Sequence, residues 1–219
     1  FLHYAQDLGA DKIATGHYVR SEEVAGKVQL LKGLDPGKDQ SYFLYGLNQE
    51  QICNALFPIG DLEKPNVRDR AEKLGFDIFD KKDSTGICFI GERDFKEFLQ
   101  QYIPAQPGII VTSSGTKVGD HDGLMYYTLG QRKGLGIGGG HGDGEGAWYV
   151  LDKDLENNEL IVGQGHDHAG LYQKRLTASD LHWISGEAPN NENLKAKIRY
   201  RAQDAICRIT ELNNTEISI

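Results

Sequence analysis

The residue best suited to covalent chemistry is Cys88, which ends the run DSTGIC. Small, polar and glycine residues before a cysteine are typical of a tight loop, whose backbone N–H groups could stabilise a thiolate or a persulfide. Lys81 and Lys82 would favour the thiolate if they faced it. The alternative is a half-buried structural cysteine between two apolar neighbours. These residues alone leave both interpretations open.

A second group of candidate residues is cationic and lies in the segment from Leu194 to Arg201. Apolar side chains alternate there with Lys195, Lys197, Arg199 and Arg201. This period of two predicts one strand with a core face and a wholly cationic face. Such a face suits contact with phosphates, although a solvated face with solubilising lysines is an alternative.

Two further patterns match chemistry only superficially. The glycine run at 134–140 fits G-x-G-x-x-G, but no helix is expected to follow it. We therefore predict a flexible surface loop, with RNA contact by Arg132 and Lys133 as the alternative. His166 and His168 are spaced like metal ligands, yet no third ligand is near in sequence, so a polar turn is the favoured interpretation.

The cysteines and the composition limit the class of protein. Cys53, Cys88 and Cys207 lie far apart without a CxxC pair, a spacing that suggests neither a disulfide framework nor a zinc ribbon and fits a reducing compartment. Cys53, on an amphipathic helix, is predicted to be a buried small hydrophobe. The net charge of −8 argues against a general polyanion binder, so any nucleic-acid contact must be local.

The hydropathy of the chain indicates a soluble protein. No stretch approaches the roughly 18 apolar residues of a membrane span, and no signal peptide is recognisable at the start. We therefore expect a cytoplasmic protein without membrane contact. At 219 residues, it can form one large domain or two to three small ones.

The elements that must position these residues change in type along the chain. Up to Pro104 the patterns predict helices alternating with strands, including a helix capped by Asn48 with Gln51 and another that begins at Pro65. Beyond Pro104 they predict short strands, with a hairpin from Trp148 to Val162. The first and last residues fall inside element patterns, so we expect a fragment of a longer protein.

Six segments together resemble the bacterial tRNA-specific 2-thiouridylases, in order and in spacing. They are GADKIATGHYVR (9–20), GLDPGKDQSYFL (33–44), KKDSTGICFIGER (81–93), PAQPG (104–108), GLMYYTLGQRKGLGIGG (123–139) and WYVLDKDLENN (148–158). The resemblance runs over almost the whole chain, and the segments are long.

The resemblance implies three domains. Residues 1–103 would be the C-terminal part of an α/β adenylating domain of the PP-loop ATP-pyrophosphatase type, which includes the persulfide cysteine loop. Residues 104–165 would form a small, mostly β central domain, and residues 166–219 a partial β-barrel. The PP-loop and a first catalytic cysteine are then expected upstream of Phe1, and the rest of the barrel downstream of Ile219.

The resemblance also implies roles for individual residues. Cys88 matches the catalytic cysteine that accepts a persulfide, and Gly16 a position that contacts ATP. The positions that match tRNA-contacting residues are His17, Lys38, Asp39, Gln40, Arg199 and Tyr200.

The implied reaction is tRNA 2-thiolation. ATP, with Mg²⁺, adenylates O2 of the wobble uridine, and sulfur from the Cys88 persulfide then replaces the adenylate at C2. The upstream cysteine completes the transfer and forms a disulfide with Cys88. The implied partners are the tRNAs for lysine, glutamate and glutamine and a persulfide sulfur-relay protein, and a monomer is expected.

Two rival functions remain. The first is a different PP-loop enzyme, such as an argininosuccinate or GMP synthetase, which would need neither DSTGIC nor a basic barrel strand. The second is a non-catalytic tRNA-binding fragment of the thiolating enzyme, since the PP-loop and the first catalytic cysteine have no counterpart in these residues.

Overall fold

The computed structural model describes residues 1–81, 95–138, 146–189, 193–200, 202–213 and 215–219. The helices are α1 (Leu2–Asp7), α2 (Gln49–Cys53), α3 (Lys64–Lys73) and α4 (Phe95–Gln100). The strands are β1 (Ile13–Ala14), β2 (Val19–Val24), β3 (Lys27–Lys32), β4 (Ala55–Leu56), β5 (Gly108–Thr112), β6 (Lys117–His121), β7 (Trp148–Asp154), β8 (Glu159–Gln164), β9 (Thr177–Ser179), β10 (Leu194–Ala196), β11 (Ala205–Cys207), β12 (Glu211–Leu212) and β13 (Glu216–Ser218).

The chain divides into two compact units. The first consists of Phe1–Lys82 together with Arg175–Ile219, and the second of Asp83–Lys174. No helix in the described ranges has both the length and the apolar character that a membrane crossing requires.

The N-terminal part of the first unit is α/β. Strand β1 pairs in parallel with β4, and β2 forms an antiparallel hairpin with β3. Helix α2 begins with the predicted capping box, in which the Asn48 side chain accepts a hydrogen bond from the Gln51 amide and the Gln51 side chain accepts one from the Asn48 amide. Helix α3 has the predicted proline in its first turn, and Gly75 follows it with a φ of 76°. The structure thus confirms the predicted starts of both helices.

The C-terminal part of the first unit contains two small antiparallel sheets, one of β12, β13 and β9 and one of β10 and β11. The prediction of one strand from Leu194 to Arg201 is wrong, because β10 ends at Ala196 and the chain then bends. The bend is closed by a hydrogen bond of 3.0 Å from the Ala202 amide to the Arg199 carbonyl. Ile198, predicted to face a core, is 68% exposed. The cations therefore do not share one strand face.

The second unit is built around a four-stranded sheet in the order β6, β5, β8, β7. Strands β5 and β8 run parallel, whereas β7 and β8 form the predicted hairpin. The core consists of buried aliphatic side chains from the sheet and the following loops: Ile110, Val118, Leu124, Leu135, Val150, Leu160 and Val162.

Two sequence patterns in this second unit turn out to have structural roles. Leu135 lies inside the glycine run and is buried in the core, so this part of the predicted flexible surface loop is anchored. His168 accepts a hydrogen bond from the Gly170 amide and thereby caps a single 3-10 turn, which confirms the polar turn.

The architecture is thus an α/β part followed by mostly β regions with small sheets, as predicted. Among the described residues no sheet closes into a barrel.

Candidate functional site

The candidate site begins with the loop between β3 and the turn at Ser41, and Asp39 is its internal anchor. Asp39 is buried, at 6% exposure. Its Oδ1 accepts hydrogen bonds from the amides of Gly33, at 3.0 Å, and Ser41, at 3.2 Å. Its Oδ2 accepts one from the Ser41 hydroxyl at 2.9 Å. Both carboxylate oxygens of Asp39 are thus engaged within the loop.

A second aspartate fastens the loop to α3. Oδ1 of Asp35 accepts a hydrogen bond of 2.9 Å from the Gly37 amide, and Oδ2 accepts one of 3.1 Å from the Lys64 amide. The Asp35 carbonyl accepts from the amides of Lys38 and Asp39. Because a carboxylate satisfies an amide that the first turn of α3 leaves unpaired, the loop and the helix stabilise one another.

Gln40 ties the other end of the loop to the start of β2. Its Oε1 accepts a hydrogen bond of 2.9 Å from the Tyr18 amide, and its own amide donates to the Tyr18 carbonyl at 3.1 Å. Gly33 passes so close to this strand that a Cβ at its position would lie 2.4 Å from the Tyr18 carbonyl oxygen. The loop therefore has a fixed conformation, which depends on a glycine.

The segment after β10 packs against this loop. The Tyr42 hydroxyl donates a hydrogen bond of 3.2 Å to the Ile198 carbonyl, and the rings of Phe43 and Tyr200 lie 4.5 Å apart between centroids. A cleft of about 370 Å³ opens between the two segments. Its lining residues are Pro36, Gly37, Asp39, Lys197, Tyr200 and Ala202. Below, this is the Tyr200 cleft.

Ion pairs join the same two parts of the first unit. The Lys32 ammonium donates a hydrogen bond to Oδ2 of Asp204, and the Lys197 ammonium lies 3.9 Å from Oδ1. The hydrogen bond from Lys32 lowers the pKa of Asp204, and the positive charges of Lys32, Lys197 and Lys195 lower it further. Sequence reasoning did not find this group, because 172 residues separate Lys32 from Asp204.

A similar pair lies nearby in the same unit. The Lys27 ammonium donates a hydrogen bond to Glu187, which lowers the pKa of that carboxyl. Polar contacts surround it, since the Gln49 amide group donates to the Ile184 carbonyl at 2.8 Å. Nε2 of His182 lies 2.9 Å from the Leu47 carbonyl oxygen.

Gly16 and His17 follow β1 after one intervening residue, Thr15, at the carboxyl end of a parallel strand pair. Nδ1 of His17 lies 2.8 Å from the Thr15 hydroxyl oxygen. Gly16 is exposed, and a Cβ at its position would have no heavy atom of the described residues within 4 Å. The backbone at Gly16 is thus open to a ligand, at the edge where α/β sheets bind them.

The structure brings some of the predicted site residues together and leaves others apart. The loop with Lys38, Asp39 and Gln40 meets Tyr200 at the cleft. Arg199 is exposed on the adjoining bend and does not line that cleft. Cys88 lies outside the described residues.

The prediction for Cys53 was wrong. Its side chain is exposed at the end of α2, whereas its neighbour Ile52 is 1% exposed. The short helix has room for one inward residue at this end, and Ile52 occupies it.

Three family models match successive parts of the chain. The tRNA methyl transferase HUP domain matches residues 1–92, and the tRNA methyl transferase PRC-barrel domain matches residues 96–164. The aminomethyltransferase beta-barrel domain matches residues 173–219.

Curated relatives match the chain from end to end. The tRNA-specific 2-thiouridylase MnmA of Methylococcus capsulatus is 59% identical over 222 residues, which cover 100% of this chain and 60% of the relative. The proteins of the same name from Salmonella typhimurium and Haemophilus influenzae are 58% and 59% identical over all of this chain, with 60% and 58% of their lengths covered. The chain spans about 60% of the length of these relatives. With three successive domain models and identity of this order over the whole of these 219 residues, the chain belongs to the family of tRNA-specific 2-thiouridylases.

Proposed function

We propose that the protein acts in tRNA 2-thiolation, as an ATP-dependent tRNA-uridine 2-sulfurtransferase of the cytoplasm. The relatives carry the name of that activity, and the Tyr200 cleft is the observation that carries the proposal for this chain. Two segments far apart in sequence, each matched to tRNA contact by resemblance, meet there beside Lys197. Lys197 brings a positive charge to this cleft, and a local cation suits contact with a phosphate backbone in a chain whose overall charge is −8.

In the proposed reaction, O2 of the wobble uridine attacks the α-phosphorus of ATP and pyrophosphate leaves. The terminal sulfur of a persulfide on Cys88 then attacks C2, and AMP leaves with O2. A second cysteine thiolate attacks the Cys88 sulfur and breaks the sulfur–sulfur bond, so that the sulfur stays on the uridine and a disulfide forms. A thiol reductant must reduce this disulfide before the next cycle, and a sulfur-relay protein must reload Cys88.

Gly16 is the residue that would contact ATP. Its backbone is exposed, and no described residue lies within 4 Å of the position of a Cβ, which fits the close approach of a nucleotide. Among the described residues no group of three or more His, Cys, Asp and Glu could hold a metal ion, so we assign no ligand to Mg²⁺.

The proposed tRNA contacts fall into two kinds. Lys38, Arg199, Tyr200 and His17 would touch the RNA. Asp39 and Gln40 would act as positioning residues, because their hydrogen bonds are made to Gly33, Ser41 and Tyr18. The acceptors implied by the family are the tRNAs for lysine, glutamate and glutamine.

The test of the sulfur-carrier role is Cys88→Ser in the protein at its natural full length. We expect 2-thiouridine formation, measured by mass spectrometry of digested tRNA, to be abolished, with ATP–pyrophosphate exchange and tRNA binding nearly unchanged. Cys53→Ser is the matched control and should keep most of the activity. Thiolation by Cys88→Ser at the wild-type rate would remove Cys88 from the proposal.

The second candidate function is tRNA binding without catalysis by residues 1–219 alone, which span about 60% of the relatives. ATP–pyrophosphate exchange on this chain and on the natural full-length protein separates the two. Exchange only in the longer protein, with tRNA binding by both, supports the second candidate for the isolated chain.

A further inference from the structure

Phe43 is an apolar ring held in an exposed position beside the Tyr200 cleft. It ends a three-residue 3-10 turn, Ser41–Phe43, and 56% of its surface is open to solvent. The Tyr42 ring meets it edge-on at 5.6 Å between centroids, and the Tyr200 ring lies at 4.5 Å with a tilt of 48°. Single exposed aromatic side chains are common on protein surfaces. That general tendency does not explain why three aromatic rings adjoin one another here.

The two tyrosines keep Phe43 in place. Tyr42 is fixed by the hydrogen bond from its hydroxyl to the Ile198 carbonyl, and its ring also lies 6.3 Å from that of Tyr200. The cluster joins residues of the β3–α2 connection to residues of the bend after β10. Phe43 is therefore oriented before any ligand arrives, which reduces the entropy cost of binding to it.

Lysine side chains lie in the two clefts beside the rings. Lys197 lines the Tyr200 cleft, and it also lines a second cleft, of about 470 Å³, that includes Tyr42 and Lys195. Asp204 and Lys32 lie on the wall of this second cleft, and Asp204 offsets one of the cations. Aromatic faces next to cations are the combination that proteins use to bind single-stranded nucleic acid.

We propose that Phe43, braced by Tyr42 and Tyr200, is a stacking platform for one unpaired base of the bound RNA, and that Lys197 contacts a phosphate beside that base. The platform suits a loop nucleotide, because base faces are accessible in single strands and covered in a duplex. The inference rests on the proposed function in one respect, namely that the RNA is tRNA.

The first test measures the affinity of the natural full-length protein for an unmodified transcript of a glutamate tRNA in a filter-binding salt titration. Phe43→Ala should weaken binding about 5- to 150-fold, with an unchanged salt slope because no charge is lost. Phe43→Leu should weaken it similarly, whereas Phe43→Trp should retain it. Lys197→Met should instead flatten the log-log slope by about 0.7 to 0.9.

The matched control is Phe76→Ala, because Phe76 is also a phenylalanine with 56% exposure. It should bind the transcript like wild type. Thermal melting of each variant, followed by circular dichroism, checks the fold, and Phe43→Leu keeps the volume of an apolar side chain if Phe43→Ala is unstable. Wild-type affinity in Phe43→Leu would overturn the stacking platform, since an aliphatic residue has no π-face.

The second test locates the base. In a series of transcripts, each lacks one base of the anticodon loop. We expect that one of these abasic transcripts binds the wild-type protein with the same reduced affinity that the intact transcript has for Phe43→Ala. That transcript should lose nothing further with Phe43→Ala, since the same contact is already missing. Additive losses at every position overturn the proposal.

The two proposals can fail separately. If wild type binds the transcript and every Phe43 variant binds like wild type, the platform is wrong, and the rings form a surface of another kind, such as one for a protein. If wild type itself does not bind the transcript, the proposed function fails.

Discussion

The Gly33 amide donates a hydrogen bond of 3.0 Å to Oδ1 of Asp39, which closes the loop below the Tyr200 cleft. Asp39→Ala removes the acceptor of two part-buried amides, those of Gly33 and Ser41, which costs about 1–3 kcal/mol. We therefore expect lower stability of the first unit and weaker tRNA binding. Asp39→Asn keeps an acceptor for both amides and should restore most of both, as measured by urea unfolding and filter binding. If Asp39 touched the RNA directly, Asn would weaken binding as much as Ala does, without loss of stability.

Gly60 offers a test of backbone packing in the same unit. A Cβ at this position would lie 1.8 Å from the Val19 carbonyl oxygen, a distance that forces the backbone to move. Gly60→Ala should lower the free energy of unfolding by about 1–3 kcal/mol or more, measured by urea unfolding with Trp183 fluorescence. Gly46→Ala is the control, because a Cβ there meets no heavy atom of the structurally described residues within 4 Å. It should stay within about 0.5 kcal/mol of wild type.

Arg199 tests the phosphate contacts. Arg199→Ala should weaken tRNA binding and flatten the log-log salt slope by about one unit, because one cation no longer displaces counterions. Lys117→Ala should change neither quantity, since Lys117 lies in the second unit in an exposed ion pair with Asp120. Stability should hardly change in either variant. An unchanged affinity and slope in Arg199→Ala would make the bend a solubilising surface.

The carboxylates of Glu187 and Asp204 predict a dependence of stability on pH. Their pKa values are lowered in the folded protein, chiefly by hydrogen bonds from Lys27 and Lys32. A carboxyl group whose pKa is lowered by folding stabilises the folded state at any pH above the ordinary carboxyl pKa. This stabilisation is lost as the pH falls through the lowered pKa, that is, below about pH 4. Lys27→Met/Lys32→Met should lose less stability than wild type between pH 5 and pH 2, as urea midpoints will measure at low salt. Parallel pH profiles would contradict the prediction.

Local signals in the sequence predicted much of the first unit. The Asn48 capping box and the first-turn Pro65 each act within one helical turn, so nothing distant could override them. The prediction of one strand from Leu194 to Arg201 is wrong for the opposite reason. The alternation of apolar and cationic residues favours a strand, but contacts with Tyr42 and Phe43 hold the chain in a bend after Ala196. These contacts come from a distant part of the chain, so the residue spacing within the segment does not reveal them.

The candidate site shows the same division. Resemblance named Lys38 to Gln40 and Tyr200, yet only the fold shows that Asp39 and Tyr200 line one cleft. The fold also shows that the Asp39 carboxylate is hydrogen-bonded inside its own loop. Lys32 and Asp204 could not be paired from the sequence, because charges 172 residues apart have no local pattern. The burial of Cys53 was predicted wrongly, because the helical period alone does not decide which of two neighbouring residues, Ile52 or Cys53, faces inward.

The hydrogen bond between Tyr42 and Ile198 joins residues 156 positions apart, and this separation has a consequence during translation. The ribosome releases the loop with Lys38 long before it releases Tyr200. Domains made of sequence-distant parts must wait for the later part before their contacts can form. A nascent chain that stops before Leu194 therefore has the loop but not the cleft. Under the proposed function, a chain that terminates before the bend has no such cleft and does not bind tRNA through it.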